Sequence, residues 1–248
     1  MTQKTTVQFD GQKLVSVLKR VHLKGLLEEC TLTIEKGQGK VYAFDHSGSV
    51  VVMSKGDVCD KNVNLTLGLT NLTTIISFIE GDEKVEATIE TGEEASQWLT
   101  LSKGESGQIR LLLAAPGSIS TDLAGDPEAQ KQEALHDVKA TFDLIPEKVD
   151  QLLNYISLLG CSTVVFKTVK GDLIVTNNEA DKQQFTLKMG YLLSDPMRVE
   201  VFSQTLVMVL NKLNMGKDEA PTLSLGEQTA VIIQQNKDNL WLLKTISD

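Results

Sequence analysis

The residues of this sequence that can do acid–base, nucleophilic or metal chemistry are three histidines and three cysteines beside 33 acidic side chains. His22, His46 and His136 lie far apart and show neither an HExxH pattern nor a histidine–cysteine spacing typical of zinc sites. Asp45-His46-Ser47 holds the residue types of a catalytic triad, but adjacent residues on a turn cannot face one another as a triad requires. We therefore predict that the protein is not an enzyme and has no cofactor or metal.

Glycine motifs that cradle phosphates or present a nucleophile are also missing from the sequence, which contains no Walker A, GxGxxG or GxSxG pattern. Gly37-Gln38-Gly39 joins two strand-like runs, and a hairpin turn explains it better than a phosphate cradle. The cysteines are odd in number and form no CxxC pair, which predicts reduced, buried thiols at Cys30, Cys59 and Cys161.

The composition is that of a globular protein, with 41% hydrophobic and 23% charged residues. The N-terminus lacks the apolar core of a signal peptide, and no stretch approaches the roughly 18 apolar residues that span a membrane. We expect a soluble, intracellular protein with no membrane partner.

Charge is distributed unevenly along the chain. The formal net charge is -9, yet a helix predicted from about Gln12 to Lys24 carries four cations and no acid. At about 100° per residue, Lys13, Arg20 and Lys24 share a face away from the apolar stripe of Leu14, Val17, Leu18 and Val21. A solvated basic face is the ordinary explanation for a single helix; a binding surface is the alternative.

The elements that position these residues occur twice. In the first half a strand at Thr5–Phe9 leads through the N-cap Asp10 into this helix, and strands follow. The apolar run Leu69–Ile79, closed by Gly81, has helical spacing and predicts a second helix, with a strand as the alternative because of its β-branched residues. In the second half Phe142-Asp143 precedes a helix from Pro146 to about Leu158, and a second helix, Gln204–Asn214, ends at Gly216. The Lys170-Gly171 turn corresponds to Lys36-Gly37. The predicted strands are Cys30–Glu35, Lys40–Phe44, Ser49–Met53, Val63–Gly68, Val85–Ile89, Trp98–Ser102, Gln108–Leu113, Cys161–Phe166 (which corresponds to Cys30–Ile34), Phe185–Met189, Arg198–Phe202, Thr222–Leu225, Ala230–Gln235 and Leu240–Ile246.

Matched landmarks lie 131 to 135 residues apart, which indicates an internal repeat (Phe9 and Phe142, Cys30 and Cys161, Gly81 and Gly216). Runs of strands with two helices per copy predict an α+β fold with antiparallel sheets. Two prolines and several small residues interrupt periodicity after Ala114. We predict an N-terminal domain at 1–114, a connecting loop at 115–139, whose second part at 127–138 is acidic and helical in pattern, and a C-terminal domain at 140–248.

With the repeat, the linker and the basic helix in place, the chain resembles the sliding DNA clamps of the proliferating-cell-nuclear-antigen type over nearly its whole length. The resemblance is strongest at Leu27–Ile34, at Phe44–Val50, and in the ending formed by Thr222–Leu225, Ala230–Ile233 and Leu240–Leu243. It implies the DNA clamp fold: two pseudo-repeated domains with antiparallel outer sheets and two inner helices each. Three chains would close head to tail into a ring around duplex DNA.

The resemblance also implies a function and the residues that serve it. The protein would be a DNA polymerase processivity factor that binds duplex DNA without sequence preference, works with a polymerase and a clamp loader, and acts at the site of DNA replication. The DNA-facing candidates are Lys13, Lys19, Arg20, Lys24, Lys148, Lys212 and Lys217. Strand Gln108–Leu113 would pair with about Gln183–Leu187 of the next copy, so that the subunit interface includes Ile109, Arg110, Leu112, Gln184, Phe185 and Thr186. A hydrophobic pocket for partner peptides would use Phe44, Val50, Ile119, Leu123, Ala230, Leu242 and Leu243.

Two departures from the family pattern bear on this interpretation, namely a lining poorer in cations and an end at Asp248 without an acidic tail. Two alternatives stay open. One is a monomeric or heteromeric accessory subunit of the same fold that binds DNA without encircling it. The other is an α+β scaffold unrelated to DNA. For each apolar pocket candidate, ordinary core packing is the competing explanation.

Overall fold

The computed structural model describes residues 3–45, 47–59, 63–91, 97–120, 127–178, 183–191, 196–213, 215, 220–226, 230–235 and 238–246. The chain divides into two compact units. Unit 1 comprises Met1–His46 and Val52–Pro127, and unit 2 comprises Ser47–Val51 and Glu128–Asp248. Within the described residues, no helix has the length and apolar content needed to cross a membrane.

Unit 1 is built on two antiparallel sheets and a pair of helices. Its sheets have the strand orders β1-β6-β7-β8 and β5-β2-β3-β4, and α1 packs against α2. The elements are β1 (Gln3–Asp10), α1 (Gly11–His22), β2 (Cys30–Glu35), β3 (Gln38–Phe44), β4 (Val50–Asp57), β5 (Asn64–Leu69), α2 (Leu72–Ile79), β6 (Lys84–Thr91), β7 (Gln97–Ser102), β8 (Gln108–Leu113) and the short α3 (Pro116–Ser120).

Unit 2 includes the helix α4 (Pro127–His136) from Glu128 onward, and the elements after this helix have the same plan as those of unit 1. Its sheets have the orders β9-β14-β15-β16 and β13-β10-β11-β12, and α5 packs against α6. The elements are β9 (Val138–Asp143), α5 (Pro146–Leu159), β10 (Thr163–Val169), β11 (Asp172–Asn177), β12 (Thr186–Tyr191), β13 (Arg198–Phe202), α6 (Ser203–Leu210), β14 (Thr222–Gly226), β15 (Ala230–Gln235) and β16 (Asn239–Lys244).

The internal repeat predicted from the sequence is confirmed in element order and in strand pairing. From β1 to β8 and from β9 to β16 the chain runs strand, helix, four strands, helix, three strands. The first strand of each unit pairs with its sixth, and the second pairs with both the third and the fifth. The predicted α+β class with antiparallel sheets is likewise confirmed.

Equivalent hairpins in the two units use the same turn. Lys36 and Gly37 connect β2 to β3 with φ values of 52° and 85°, and Lys170 and Gly171 connect β10 to β11 with the same two values. Positive φ at both central residues is the type I′ pattern, whose twist matches that of antiparallel strands. The predicted turn at Gly37-Gln38-Gly39 is thus shifted by one residue, because Gln38 and Gly39 already belong to β3.

The predicted start of α1 is confirmed, but its predicted end is wrong. Asp10 caps the helix, with its Oδ1 accepting the N–H of Lys13 at 3.0 Å, and this hydrogen bond lowers the pKa of Asp10. The helix ends at His22, since Leu23 and Lys24 have left-handed φ values of 45° and 58°. Lys24 therefore does not extend the helical face of Lys13 and Arg20.

The second helix of each unit is also shorter than predicted. Helix α2 begins at Leu72 because Leu69 pairs with Cys30 in the sheet, and α6 ends at Leu210. The start of α2 depends on strand pairing between residues about 40 positions apart in the sequence. A local apolar pattern carries no information about such a pairing.

The core is aliphatic, as the scarcity of aromatic residues predicts. The stripe of Leu14, Val17, Leu18 and Val21 is buried, with exposures between 0% and 3%. Each such side chain stabilises the fold by about 1.5–3 kcal/mol relative to an exposed position. The three cysteines are free and buried, which confirms the prediction of reduced core thiols, and burial raises the pKa of the Cys30 thiol.

The segment 115–139, predicted as a connecting loop, contains the helices α3 and α4 and the first residues of β9. In unit 1, Ile119 of α3 packs over β5, where a Cβ on Gly68 would lie 3.0 Å from the Ile119 Cδ1. A Cβ at this position would lie closer still to the backbone carbonyl oxygen of Ala114, so glycine at 68 chiefly leaves space for the backbone of Ala114. The helical pattern noted in 127–138 corresponds to α4.

Candidate nucleic-acid interface and strand edges

The cations of α1 lie on its solvent side, where Lys13 and Lys19 have acid partners. Lys13 forms an ion pair with Asp10 at 3.2 Å between Nζ and Oδ2, and Lys19 pairs with Glu80 at the end of α2. Arg20 is half-buried. Helix α2 contributes the exposed hydroxyl residues Thr73 and Thr74 and no charge. The α1–α2 pair therefore presents a polar surface with a modest positive charge.

The remaining predicted DNA-facing residues are dispersed. Lys24 is exposed beyond the end of α1. In unit 2, the Nζ of Lys148 on α5 donates to the Oε1 of Gln151 at 3.3 Å, and Lys212 is half-buried after the end of α6. Lys217 lies outside the described residues. Since α5 also exposes Glu147 and Asp150, the helices of unit 2 carry less positive charge than α1.

A polar network that was not predicted from the sequence joins α1 to α2. The Nε2 of His22 lies 3.0 Å from the Oε1 of Glu28 and 2.9 Å from the Oγ1 of Thr73. The backbone N–H of Thr73 donates to the Oε2 of Glu28 at 3.0 Å, and its hydroxyl donates to Oε1. Burial alone would raise the pKa of Glu28, but the hydrogen bonds from Thr73 and the contact with His22 together lower it.

Strand β8, predicted to form one half of a subunit interface, lies at the end of its sheet. Along its length it pairs with β7, and beyond it Ala114 bridges to Gly68. Arg110 is exposed, with its guanidinium Cζ 4.6 Å from the centre of the Trp98 ring and Nη2 3.2 Å from the Oε2 of Glu90. Leu112 is 52% exposed, and Ile109 is half-buried.

Strand β12, predicted to form the other half, lies at the end of a sheet in unit 2. Thr186 begins the strand, Gln184 is exposed, and Phe185 is 6% exposed. The Phe185 ring stacks on Tyr155 of α5 with a centroid distance of 5.4 Å and an interplanar angle of 25°.

Two exposed apolar residues of α5 were not predicted to belong to an interface, and one of them is Tyr155, which stacks on Phe185. Tyr155 is 38% exposed and Leu158 is 78% exposed. Both lie off the buried stripe of Val149, Leu152 and Ile156, so that α5 has apolar side chains on its polar face. That placement is the sequence signal that identifies them, because large apolar residues on a solvent face often mark an interaction surface.

The predicted peptide pocket is made largely of buried side chains. Val50, Ile119, Leu242 and Leu243 have exposures of 0%, 6%, 4% and 1%, whereas Phe44 is half-buried. Leu123 and the side chain of Ala230 lie outside the description, although the backbone of Ala230 pairs with Lys244 in the β15–β16 hairpin that also holds Leu242 and Leu243. The buried residues belong to the cores of their units, and the pocket stays a prediction.

Nothing in the described part of the chain forms a metal centre, since it contains no cluster of three or more histidine, cysteine or acidic side chains with suitable geometry. The candidate binding surfaces among the described residues are instead strand edges and polar helix faces.

Comparisons with known proteins identify this fold. No protein-family model matches the sequence, and a search of curated proteins found no significant match. Solved structures do match. The proliferating cell nuclear antigen (PCNA) of A. fulgidus, in a structure with the C-terminal region of FEN-1, is similar with a TM-score of 0.67 and 15% identity over 98% of both chains. That of Entamoeba histolytica has a TM-score of 0.66 and 14% identity, again over 98% of each chain.

A DNA polymerase sliding clamp from Bacillus subtilis is similar as well, with a TM-score of 0.75 and 12% identity over 98% of this chain and 64% of that one. The chain therefore has the sliding-clamp fold, which confirms the resemblance and the fold predicted from the sequence. At these identities the likeness establishes the fold alone.

Proposed function

We propose that this protein is a sliding clamp, a non-enzymatic processivity factor that encircles duplex DNA and tethers a DNA polymerase. The observation that carries the proposal is the match in fold over 98% of both chains to PCNA. The duplicated unit supports it, because both copies offer a helix pair and an antiparallel sheet of the same topology.

Ring closure is supported by the two strand edges. Strand β8 ends a sheet of unit 1 and β12 ends a sheet of unit 2. Since the two edges belong to different surfaces, pairing β8 of one copy with β12 of the next is a head-to-tail contact, which closes into a ring when the rotation permits. Pairing also covers edges that are otherwise open to aggregation. Leu112 on one side and Tyr155 and Leu158 on the other supply apolar contact, and the family pattern implies three copies.

DNA contact is assigned to the exposed faces of the helices. Lys13, Lys19 and Arg20 of α1 would approach phosphates, joined by Lys24, Lys148, Lys212 and Lys217. The chain as a whole is acidic, and its net charge of -9 disfavours non-specific binding to DNA. A ring can hold DNA by enclosure, so few cations suffice and the protein can slide. Its place of action is the site of DNA replication.

The docking of partner peptides is the most detailed part of the proposal. The structure of A. fulgidus PCNA contains the C-terminal region of FEN-1. By analogy we assign a peptide pocket to Phe44, Val50, Ile119, Leu123, Ala230, Leu242 and Leu243. Because Val50, Ile119, Leu242 and Leu243 are buried, a peptide would contact Phe44 directly and would reach those four only after side-chain rearrangement.

The decisive experiment combines mass with topology. Light scattering at micromolar concentration should give three times the 27.2-kDa chain mass. Protein loaded onto nicked circular DNA should be retained and should be released when one cut linearises the circle. A stable monomer would refute the self-closing ring and favour the accessory-subunit alternative. Equal retention on circular and linear DNA would refute topological enclosure.

A further inference from the structure

Residues 183–185, which lead into β12, are held against β11 by hydrogen bonds to side chains of β11 and not by backbone pairing. The last paired residues of the two strands are Thr176 and Thr186. Beyond them, the Nδ2 of Asn177 donates to the Gln183 carbonyl at 2.7 Å, and its Oδ1 accepts the N–H of Phe185 at 3.0 Å. The hydroxyl of Thr176 donates to the Phe185 carbonyl at 2.5 Å.

This pair of residues, which we call the Asn177 brace (Asn177 and Thr176), is buried. Asn177 is 0% exposed and Thr176 is 7% exposed. A buried amide that lost these partners would be costly, so the contacts hold residues 183–185 firmly. Both backbone groups of Phe185 face β11, and the polar groups of successive strand residues alternate in direction. The backbone groups of Gln184 and Thr186 are therefore directed away from β11, toward the outer edge.

From this geometry we propose that the Asn177 brace extends the outer edge of β12 back to Gln183 and thereby sets the register in which it pairs with β8 of a neighbouring copy. The inference rests on the proposed ring. It assigns a positioning role to two buried residues that touch neither DNA nor the neighbouring chain.

The facing edge of β8 limits the possible registers. Lys103 donates its N–H to the Gly107 carbonyl across the β7–β8 hairpin, while the N–H of Ala114 donates to Gly68 on the other side. By alternation, the backbone groups of Gln108, Arg110 and Leu112 are directed away from β7. Their side chains are also the exposed ones of β8, as those of Thr186 and Lys188 are on β12. Backbone direction and side-chain face thus both require even-numbered residues to lie opposite one another.

Charge selects among the registers that remain. Placing Arg110 opposite Lys188 brings two cations together, which destabilises a strand pair. Arg110 and Lys188 each pair with an acid of their own chain, Glu90 and Asp172, which moderates this repulsion but adds no attraction between the two strands. Placing Arg110 opposite Thr186 avoids this contact and puts Leu112 opposite Gln184. A further shift, with Arg110 opposite Gln184, shortens the paired region. The favoured register needs Gln184 in an extended strand, which the Asn177 brace provides.

Disulfide trapping tests the register. Directly opposite residues have Cα atoms about 5.5 Å apart, within the range that a disulfide spans. The Leu112→Cys/Gln184→Cys variant should form covalently linked oligomers under mild oxidation, at least tenfold faster than Leu112→Cys/Thr186→Cys. Single-cysteine variants control for adventitious linkage. Faster linkage through position 186 would overturn the proposed register.

Substitutions test the Asn177 brace itself. Asn177→Ala should accelerate hydrogen exchange at the Phe185 amide at least tenfold and weaken subunit association by a similar factor. Thr176→Val keeps the side-chain shape and serves as the test variant if Asn177→Ala does not fold. It should also weaken subunit association. Asn239→Ala is the matched control, because Asn239 is a buried asparagine of unit 2 whose amide reaches the Gln235 carbonyl at 3.5 Å. It should leave both measurements within twofold.

The outcomes separate the two proposals. Unchanged exchange at Phe185 in Asn177→Ala would overturn the brace. If the wild-type chain is monomeric, the ring and the register both fail, whereas faster exchange at the Phe185 amide in Asn177→Ala than in wild type would still establish that Asn177 orders the edge.

Discussion

At the scale of single residues, Glu28 connects two helices of unit 1 through one side chain and one carbonyl. Its backbone oxygen accepts the N–H of Leu72 at 3.1 Å and its carboxylate accepts the N–H of Thr73 at 3.0 Å. Asn71, at the N-cap position of α2, has a left-handed φ of 56° and makes no side-chain capping bond. Glu28 thus supplies from a distant loop the cap that the helix lacks locally.

We predict that Glu28→Gln destabilises the protein by about 1 kcal/mol at neutral pH, because a charge-assisted cap is lost. The magnitude is small since the side chain is 42% exposed. The folded-state pKa of Glu28 is lowered. Its contribution is therefore complete above the unfolded pKa of about 4.3 and is lost as pH falls through the folded value.

Urea unfolding measured from pH 7 downward checks this expectation. The difference between wild type and Glu28→Gln should shrink as the carboxylate becomes protonated. Glu29→Gln, at the exposed neighbouring position, should unfold like wild type. A Glu28→Gln difference that stays constant over the whole pH range would contradict the assignment.

At the scale of elements, the local turns are the parts that the sequence predicts best. The Lys170-Gly171 turn combines a glycine at φ 85° with a close neighbour, since a Cβ there would lie 2.7 Å from the Cε2 of Tyr191. Tyr191 is 68% exposed, so its ring can move aside. The left-handed backbone, and not the contact, should dominate the cost of a side chain at this position.

Gly171→Ala should therefore cost about 1 kcal/mol in the free energy of unfolding. Gly160→Ala is the comparison, because Gly160 ends α5 at φ 60° with open space around its missing Cβ. The two variants should agree within about 0.5 kcal/mol in urea titrations. A much larger loss for Gly171→Ala, restored by adding Tyr191→Ala, would mean that the tyrosine cannot move.

At the scale of the whole molecule, the charge distribution distinguishes enclosure from tight binding. The helices α1, α2, α5 and α6 contain few cations, and Lys13 and Lys19 have acid partners close by. A clamp with such a surface should depend on its closed ring for retention and should show a shallow salt dependence.

Reversing Lys13 and Arg20 to glutamate should lower DNA retention on circular templates and reduce the slope of log affinity against log salt by about two. Oligomer mass should stay unchanged, because neither residue lies on β8 or β12. Lys139→Glu with Lys244→Glu, exposed positions on strands of unit 2, is the matched control. Equal retention in both double variants would contradict the assignment of α1 to the DNA surface.

The order of elements, the α+β class, the duplication and the hairpin turns were determined by the sequence itself. Apolar periodicity, the Asp10 cap and the lysine–glycine turns depend only on residues a few positions apart. The sequence alone therefore predicts the structures that they form. The strands β2, β8, β13 and β15 have the bounds that this pattern predicts.

Tertiary structure alone decided the features that depend on distant partners. Helix α2 starts at Leu72 because Leu69 is taken up by the sheet, and Ile119 and Leu242 are buried where a pocket was predicted. The Asn177 brace and the Glu28 cap each join segments through a side-chain amide or carboxylate that meets backbone groups elsewhere in the chain. A single polar side chain has no periodicity, and its role is set only when folding brings a backbone group within hydrogen-bonding distance.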